Sequence, residues 1–143
     1  MKNKGIYSDN MPDTEETIPI KDEYDIVTAR SAGKKIASST GFGLVDQTRI
    51  STAISELARN ILRYAETGTV YVRQVTADGR GGIEIVAEDH GPGIANLDLA
   101  MTDGHTTGGG LGAGLPGTKR LMDEFGIDTE VGRGTTITTR KWV

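Results

Sequence analysis

Glu88-Asp89-His90-Gly91-Pro92-Gly93-Ile94 follows an alternating apolar run, Ile83, Ile85 and Val86, and breaks it with an acidic pair and a Gly-Pro-Gly turn. The spacing predicts a strand that carries Asp89 on its end, beside backbone with no side-chain bulk. A carboxylate there can accept a hydrogen bond from a flat, amino-bearing ring, and the glycines let that ring lie against the main chain. Further on, Gly108-Gly109-Gly110-Leu111-Gly112-Ala113-Gly114 leads through Leu115 into a helix that Pro116 is suited to begin. Its bare backbone N–H groups can close on phosphate oxygens. A base reader followed by a phosphate cradle points to a nucleotide site.

The segments around this stretch are read from their periods. Thr69 to Val75 alternates and is rich in β-branched residues, and it pairs with Gly82 to Glu88 across the Asp78-Gly79-Arg80-Gly81-Gly82 turn. Before it, Ile50, Ala53, Ile54, Leu57, Ala58, Ile61, Leu62 and Ala65 form one helical stripe, with Asp46 as N-cap and Gly68 as the stop. Tyr24 to about Ser39 reads as an earlier helix, closed by Thr40-Gly41, and Thr17 to Ile20 as an edge strand. Met1 to Glu16 is polar and acidic and reads as a flexible tail, leaving 17–143 as one domain. Ile94 to His105 has no clean period and is expected to be a mobile lid. The helix from Pro116 buries Leu115, Met122 (or Leu121) and Phe125 and stops at Gly126. Ile127 to Val131 and Thr135 to Trp142 then close the chain as a hairpin around Gly132-Arg133-Gly134. This order predicts an α+β, two-layer fold with helices on one face of a mixed, largely antiparallel sheet.

Composition removes several function classes. The 143 residues suit one domain with a real core. A net charge of −4 argues against nucleic-acid binding through a basic patch. With no cysteine there is no disulfide, zinc-thiolate site or thiol nucleophile. No apolar run approaches the roughly 20 residues that span a bilayer, so no membrane association and a cytoplasmic location are expected. His90 and His105 lack partners at metal-ligand spacing, which leaves a hydrolase triad without support.

Within the long helix, Glu56 and Asn60 are i and i+4 and neighbour each other beside the apolar stripe. They read either as a solvated flank or as a magnesium and phosphate site. In the second reading the Asn60 amide supplies one of the few protein oxygens Mg²⁺ needs, and Glu56 can take a proton from an attacking hydroxyl. Gly112-x-Gly114-x-x-Gly117 imitates a dinucleotide fingerprint, but the residues before it are not strand-like. A Walker A sequence is absent. Lys119 and Arg120 lie in the first turns of the following helix and either face the phosphates or stay solvated.

Four segments in order resemble the N, G1, G2 and G3 boxes of the GHKL ATPases. They are Glu56-Leu57-Ala58-Arg59-Asn60, Glu88 to Gly93, Gly108 to Leu115, and Gly132-Arg133-Gly134-Thr135-Thr136. That superfamily includes gyrase-type ATPases, Hsp90, sensor histidine kinases and anti-sigma-factor serine kinases. Residues 52–61 and 108–125 are most similar to the switch-protein kinases of the stressosome. The resemblance implies a Bergerat-type fold binding ATP and Mg²⁺. Asp89 becomes the partner of the adenine amino group, with Thr135 or Thr136 nearby through a water. Gly91, Gly93 and Ile94 back the base, Asn60 binds Mg²⁺, and Glu56 is the general base. Gly108, Gly109, Gly110, Leu111, Gly112, Ala113, Gly114 and Leu115 cradle the triphosphate. It implies no role for His105 or Thr106. The implied activity is transfer of phosphate to serine or threonine on STAS-domain stressosome proteins, and the resemblance also implies activation of a PP2C-type phosphatase. The alternatives are an anti-sigma factor kinase that sequesters a sigma subunit, or a non-catalytic binding module.

Overall fold

Strand alternation sets the architecture. In this computed structural model, which describes residues 15–102 and 114–143, five strands form one sheet in the order β1-β2-β3-β5-β4. They are β1 (Glu15–Ile20), β2 (Gly68–Ala77), β3 (Arg80–Asp89), β4 (Glu124–Glu130) and β5 (Gly134–Trp142). Among the described residues every pairing is antiparallel, so the parallel pairing expected of a mixed sheet does not occur there. Ile18, Ile20, Val70, Val72, Ile83, Ile85, Ala87 and Ile137 point to one side and are buried under the helices. β1 begins at Glu15, two residues ahead of Thr17.

Helix α1 (Glu23–Thr40) starts at a capping box, in which Asp22 accepts from the N–H groups of Tyr24 and Asp25 while the Asp25 carboxylate bonds back to the Asp22 N–H. Helix α2 (Leu44–Ala65) buries Ile50, Ala53, Ile54, Leu57, Ala58 and Ile61 as expected. Leu62 and Ala65, at its far end, are only half-buried. Asp46 is not its N-cap. The extended backbone of Gly43 turns the chain into the helix, and Asp46 lies in the first turn, 2.8 Å from Arg49. A carboxylate there favours the positive end of the helix dipole without capping it. Glu66, at φ 71°, ends the helix; Gly68 instead opens β2 opposite Asp89.

The C-terminal third departs most from expectation. Helix α4 (Gly114–Leu121) includes Pro116 as its third residue and stops before Phe125. Its last turn is held by Lys141, whose ammonium donates to the Leu121 carbonyl at 2.9 Å. Phe125 and Gly126 belong to β4, with Gly126 facing Thr138. Sheet pairing therefore overrides the helical period read through these residues. A single turn, α3 (Leu97–Ala100), capped by Asn96, occupies part of the segment expected to be aperiodic. Among the described residues, no helix is long and apolar enough to cross a membrane.

The other face of the sheet carries a row of alternating charge across all five strands: Glu15, Arg73, Glu84, Arg140 and Glu124. Glu84 is its buried centre, 2.9 Å from both Arg73 and Arg140. At the end of the row Glu124 accepts from the Trp142 indole at 2.7 Å and from Arg140 at 2.9 Å, which holds its carboxyl below its ordinary value of 4.5. A lowered folded value means the stabilisation is full above about pH 4.5 and is lost as pH falls through the folded value. Glu124→Gln should therefore lower Tm at pH 7 by a few degrees at most, the usual scale of exposed ion pairs. The gap should narrow as pH falls below 4.5 and close once pH is below the folded value, where the wild-type carboxyl is also neutral. Thermal melts of both proteins across that range provide the check, and a gap independent of pH would remove the assignment.

Candidate nucleotide site

The apolar stripe of α2 ends at Ile61, and the inward row of β3 ends at Ala87. Beyond them both layers continue, but with polar side chains. Asp89 is the next inward residue of β3, and Thr135 opposes it on β5. Asn60, Arg63 and Tyr64 lie on the α2 side. The gap is a cavity of about 320 Å³ lined among the described residues by Glu56, Asn60, Asp89, Gly93, Ile94, Gly114, Leu115 and Thr135. All eight of these sequence-predicted residues therefore meet in one place.

Asp89 is held rigidly. Its Oδ1 accepts from the Gly91 N–H at 2.9 Å and from the Thr135 N–H at 3.3 Å. Among the described residues both bonds fall on one oxygen, which leaves Oδ2 available to an amino group. The turn after it interlocks with the β4–β5 hairpin. Gly93 has φ 79°, and a side chain there would lie 2.4 Å from the Glu130 carbonyl oxygen. Gly134, at φ 126°, would collide in the same way with the Asp89 carbonyl oxygen at 2.2 Å. The Gly132 N–H donates to the Pro92 carbonyl at 2.9 Å, and the Ile94 N–H to the Thr129 hydroxyl at 2.9 Å. These contacts fix the wall against which a planar ring can rest.

On the opposite wall Glu56 has a side chain 12% exposed and bonds Arg59 at 3.0 Å. Asn60 follows one turn from Glu56. The Asn60 carboxamide is one oxygen donor, too few to cage a cation but enough for one that also takes phosphate oxygens and water. Among the described residues no group of three or more His, Asp or Glu could hold a metal without such a ligand. The donor set thus fits Mg²⁺ delivered with a nucleotide.

Some expected residues are not brought to the cavity. Gly91 does not line it and acts through its bond to Asp89. Thr136 points to the other sheet face, between Glu88 and Asp128, so of the two threonines only Thr135 reaches the site. Lys119 and Arg120 are exposed and do not line the cavity. Gly108 to Ala113, together with His105 and Thr106, lie outside the described residues. Conversely, Arg63, Tyr64, Asn96, Leu99 and Ala100 line the site without having been foreseen, and Arg59 and Pro92, which fell within two of the recognised segments with no role assigned, line it too. Extending the Glu56–Asn60 face by one turn would have found Arg63 and Tyr64. Asn96 and Ala100 lie in and around α3 and gave no periodic signal.

Residues 45–142 match the histidine kinase-, DNA gyrase B- and HSP90-like ATPase family. The serine/threonine-protein kinase RsbT of Bacillus subtilis (strain 168) is 54% identical over 126 residues, covering 88% of this chain and 95% of that protein. The anti-sigma F factor of Geobacillus thermodenitrificans (strain NG80-2) is 30% identical over 131 residues, 81% of this chain and 88% of that one. Among solved structures, the RsbU and RsbW domains of a Mycobacterium tuberculosis protein superpose with a TM-score of 0.59 at 20% identity, over 89% of this chain and 31% of theirs. The mycobacterial sensor histidine kinase MprB does so with a TM-score of 0.53 at 18% identity, over 90% and 97%. These two likenesses concern the fold alone. The chain belongs to the histidine kinase-, DNA gyrase B- and HSP90-like ATPase family, among its serine/threonine-protein kinases.

Proposed function

We propose that this chain transfers the γ-phosphoryl group of ATP to a serine or threonine on a STAS-domain partner in cytoplasmic partner-switching signalling, as an RsbT-like switch kinase. The observation that carries this is the meeting of Asp89, Thr135, Asn60 and Glu56 in one cavity. Release from the STAS partner would free the kinase to activate a PP2C-type phosphatase. The similarity to anti-sigma F factors favours one further reading, in which the chain also sequesters a sigma subunit. Capture of a purified sigma factor would support it.

In this reading Asp89 accepts from the purine amino group through Oδ2 while its two backbone bonds keep the carboxylate plane fixed. Thr135 borders the same edge of the base. Asn60 would hold Mg²⁺, which would supply neutralisation of the phosphate charge. The backbone at Gly114 and Leu115, with the Gly108–Ala113 amides before it, receives phosphate oxygens at the start of α4. Arg59 and Arg63 add positive charge to the cavity wall, which offsets the missing Walker lysine. Glu56 takes the proton of the attacking hydroxyl. Its ion pair with Arg59 holds the carboxylate at the cavity edge until the acceptor arrives. Positioning and electrostatics supply most of the rate in such transfers.

Three substitutions test the assignments. Asp89→Asn should weaken ATP binding by roughly 1.5–3 kcal/mol, the worth of a hydrogen bond to a charged group; unchanged affinity by calorimetry would falsify the base-reading role. Asn60→Ala should lose Mg²⁺-dependent turnover while melting like the parent protein. Wild-type phosphorylation of a STAS substrate by that variant would remove the metal assignment. Glu56→Gln should slow single-turnover transfer by about 10²–10⁴-fold, the range of general-base catalysis, with ATP affinity little changed. A parental rate would mean that another group takes the proton.

A further inference from the structure

Thr129 lies outside the cavity, directly opposite Thr135 in the β4–β5 pairing. The inward residues before it on β4, Phe125 and Ile127, are apolar, so the side of the strand that faces the helices changes to a hydroxyl only at the base-binding end. That hydroxyl is crowded with partners. It accepts from the Ile94 N–H at 2.9 Å, lies 2.8 Å from the Thr135 hydroxyl, and lies 3.3 Å from the Gly134 carbonyl oxygen.

One proton must be shared among these contacts, and its placement decides what Thr135 offers the cavity. If Thr129 donates to Thr135, the Thr135 proton is left free to be donated inward. If Thr129 donates to Gly134, Thr135 donates back to Thr129 and turns only lone pairs inward. The shorter distance favours the first arrangement, since 2.8 Å is an ordinary O–H···O length and 3.3 Å is long for one.

We propose that Thr129 is a positioning residue for base selection: it makes Thr135 a hydrogen-bond donor beside the Asp89 acceptor, a pairing that matches 6-aminopurines and opposes 6-oxopurines. A 6-aminopurine presents a donor at its exocyclic nitrogen and an acceptor at N1. A 6-oxopurine presents the reverse, an acceptor at position 6 and a donor at N1. Thr135 meets N1 directly or through one water. The inference rests on the reading of Asp89 as the base anchor, and it adds a residue that never touches the base.

The test uses the full chain and compares ATP with ITP, its 6-oxo counterpart, by calorimetry. Thr129→Val keeps the shape and removes the hydroxyl. It should weaken ATP about 5–30-fold, the effect of losing roughly one to two kcal/mol. ITP affinity should change little, so the ATP:ITP ratio collapses. Thr129→Ser should restore the ratio. In a Thr135→Val background, Thr129→Val should cause no further loss of the ratio, because its effect passes through Thr135. If the valine variant does not fold, Thr129→Ala carries the same expectation. Equal losses for ATP and ITP would mean that Thr129 only braces Ile94, and an unchanged ratio would likewise overturn the proposal. Failure of the wild-type chain to bind ATP would instead overturn the nucleotide reading itself.

Discussion

The seam between α2 and the inward face of β3 and β5 is the constraint on which the structure depends. Along most of its length the seam is filled by side chains that are wholly buried, such as Ile54, Leu57, Ile83 and Ile85. Close packing there fixes the helix relative to the sheet to within a fraction of a side chain. The helix and the strands then run on past the last apolar residues. What lies between them is a cavity whose walls inherit the rigidity of the packed seam, with Glu56 and Asn60 on one side and Asp89 and Thr135 on the other.

The site's polar geometry follows from that placement. Asp89 can be buried because two backbone N–H groups bond its Oδ1, so burial does not leave the carboxylate unsatisfied. One of those donors comes from the turn that follows Asp89 and the other from β5, so the carboxylate also ties two elements together. The glycines at 93 and 134 permit this approach, since any side chain there would strike a backbone carbonyl. Backbone thus serves both as scaffold and as the surface offered to ligand.

The reverse face of the sheet obeys different rules. Its central Glu84 is buried although it lies on the side away from the helices, because Arg73 and Arg140 cover it from the neighbouring strands. Such a row fixes strand register, since a shift by one residue would place those charges among the core side chains. Register matters to the site as well. The same β3–β5 pairing that opposes Glu84 to Arg140 opposes Asp89 to Thr135.

Much of this was legible in the sequence for a physical reason: periodicity reports one-sided burial, which the local chain must satisfy by itself. The α2 stripe, the β2–β3 hairpin and Asp89 at a strand end were read directly, and the face shared by Glu56 and Asn60 followed from helical spacing. Where local preferences compete with distant partners, the sequence is silent or misleading. Phe125 and Gly126 read as the end of a helix and joined β4, because pairing with β5 and the Lys141 contact to Leu121 outweighed the local pattern. Thr135 and Thr136 were indistinguishable by type and adjacent in the chain; the strand pleat alone sends Thr135 to the cavity and Thr136 to the opposite face. The chain by itself determined which polar residue types and glycines were available to build the cavity walls. Which of them share a wall, and which hydroxyl Thr129 reaches across the hairpin, was decided by the tertiary structure, because those distances depend on strands that meet only after the sheet has formed.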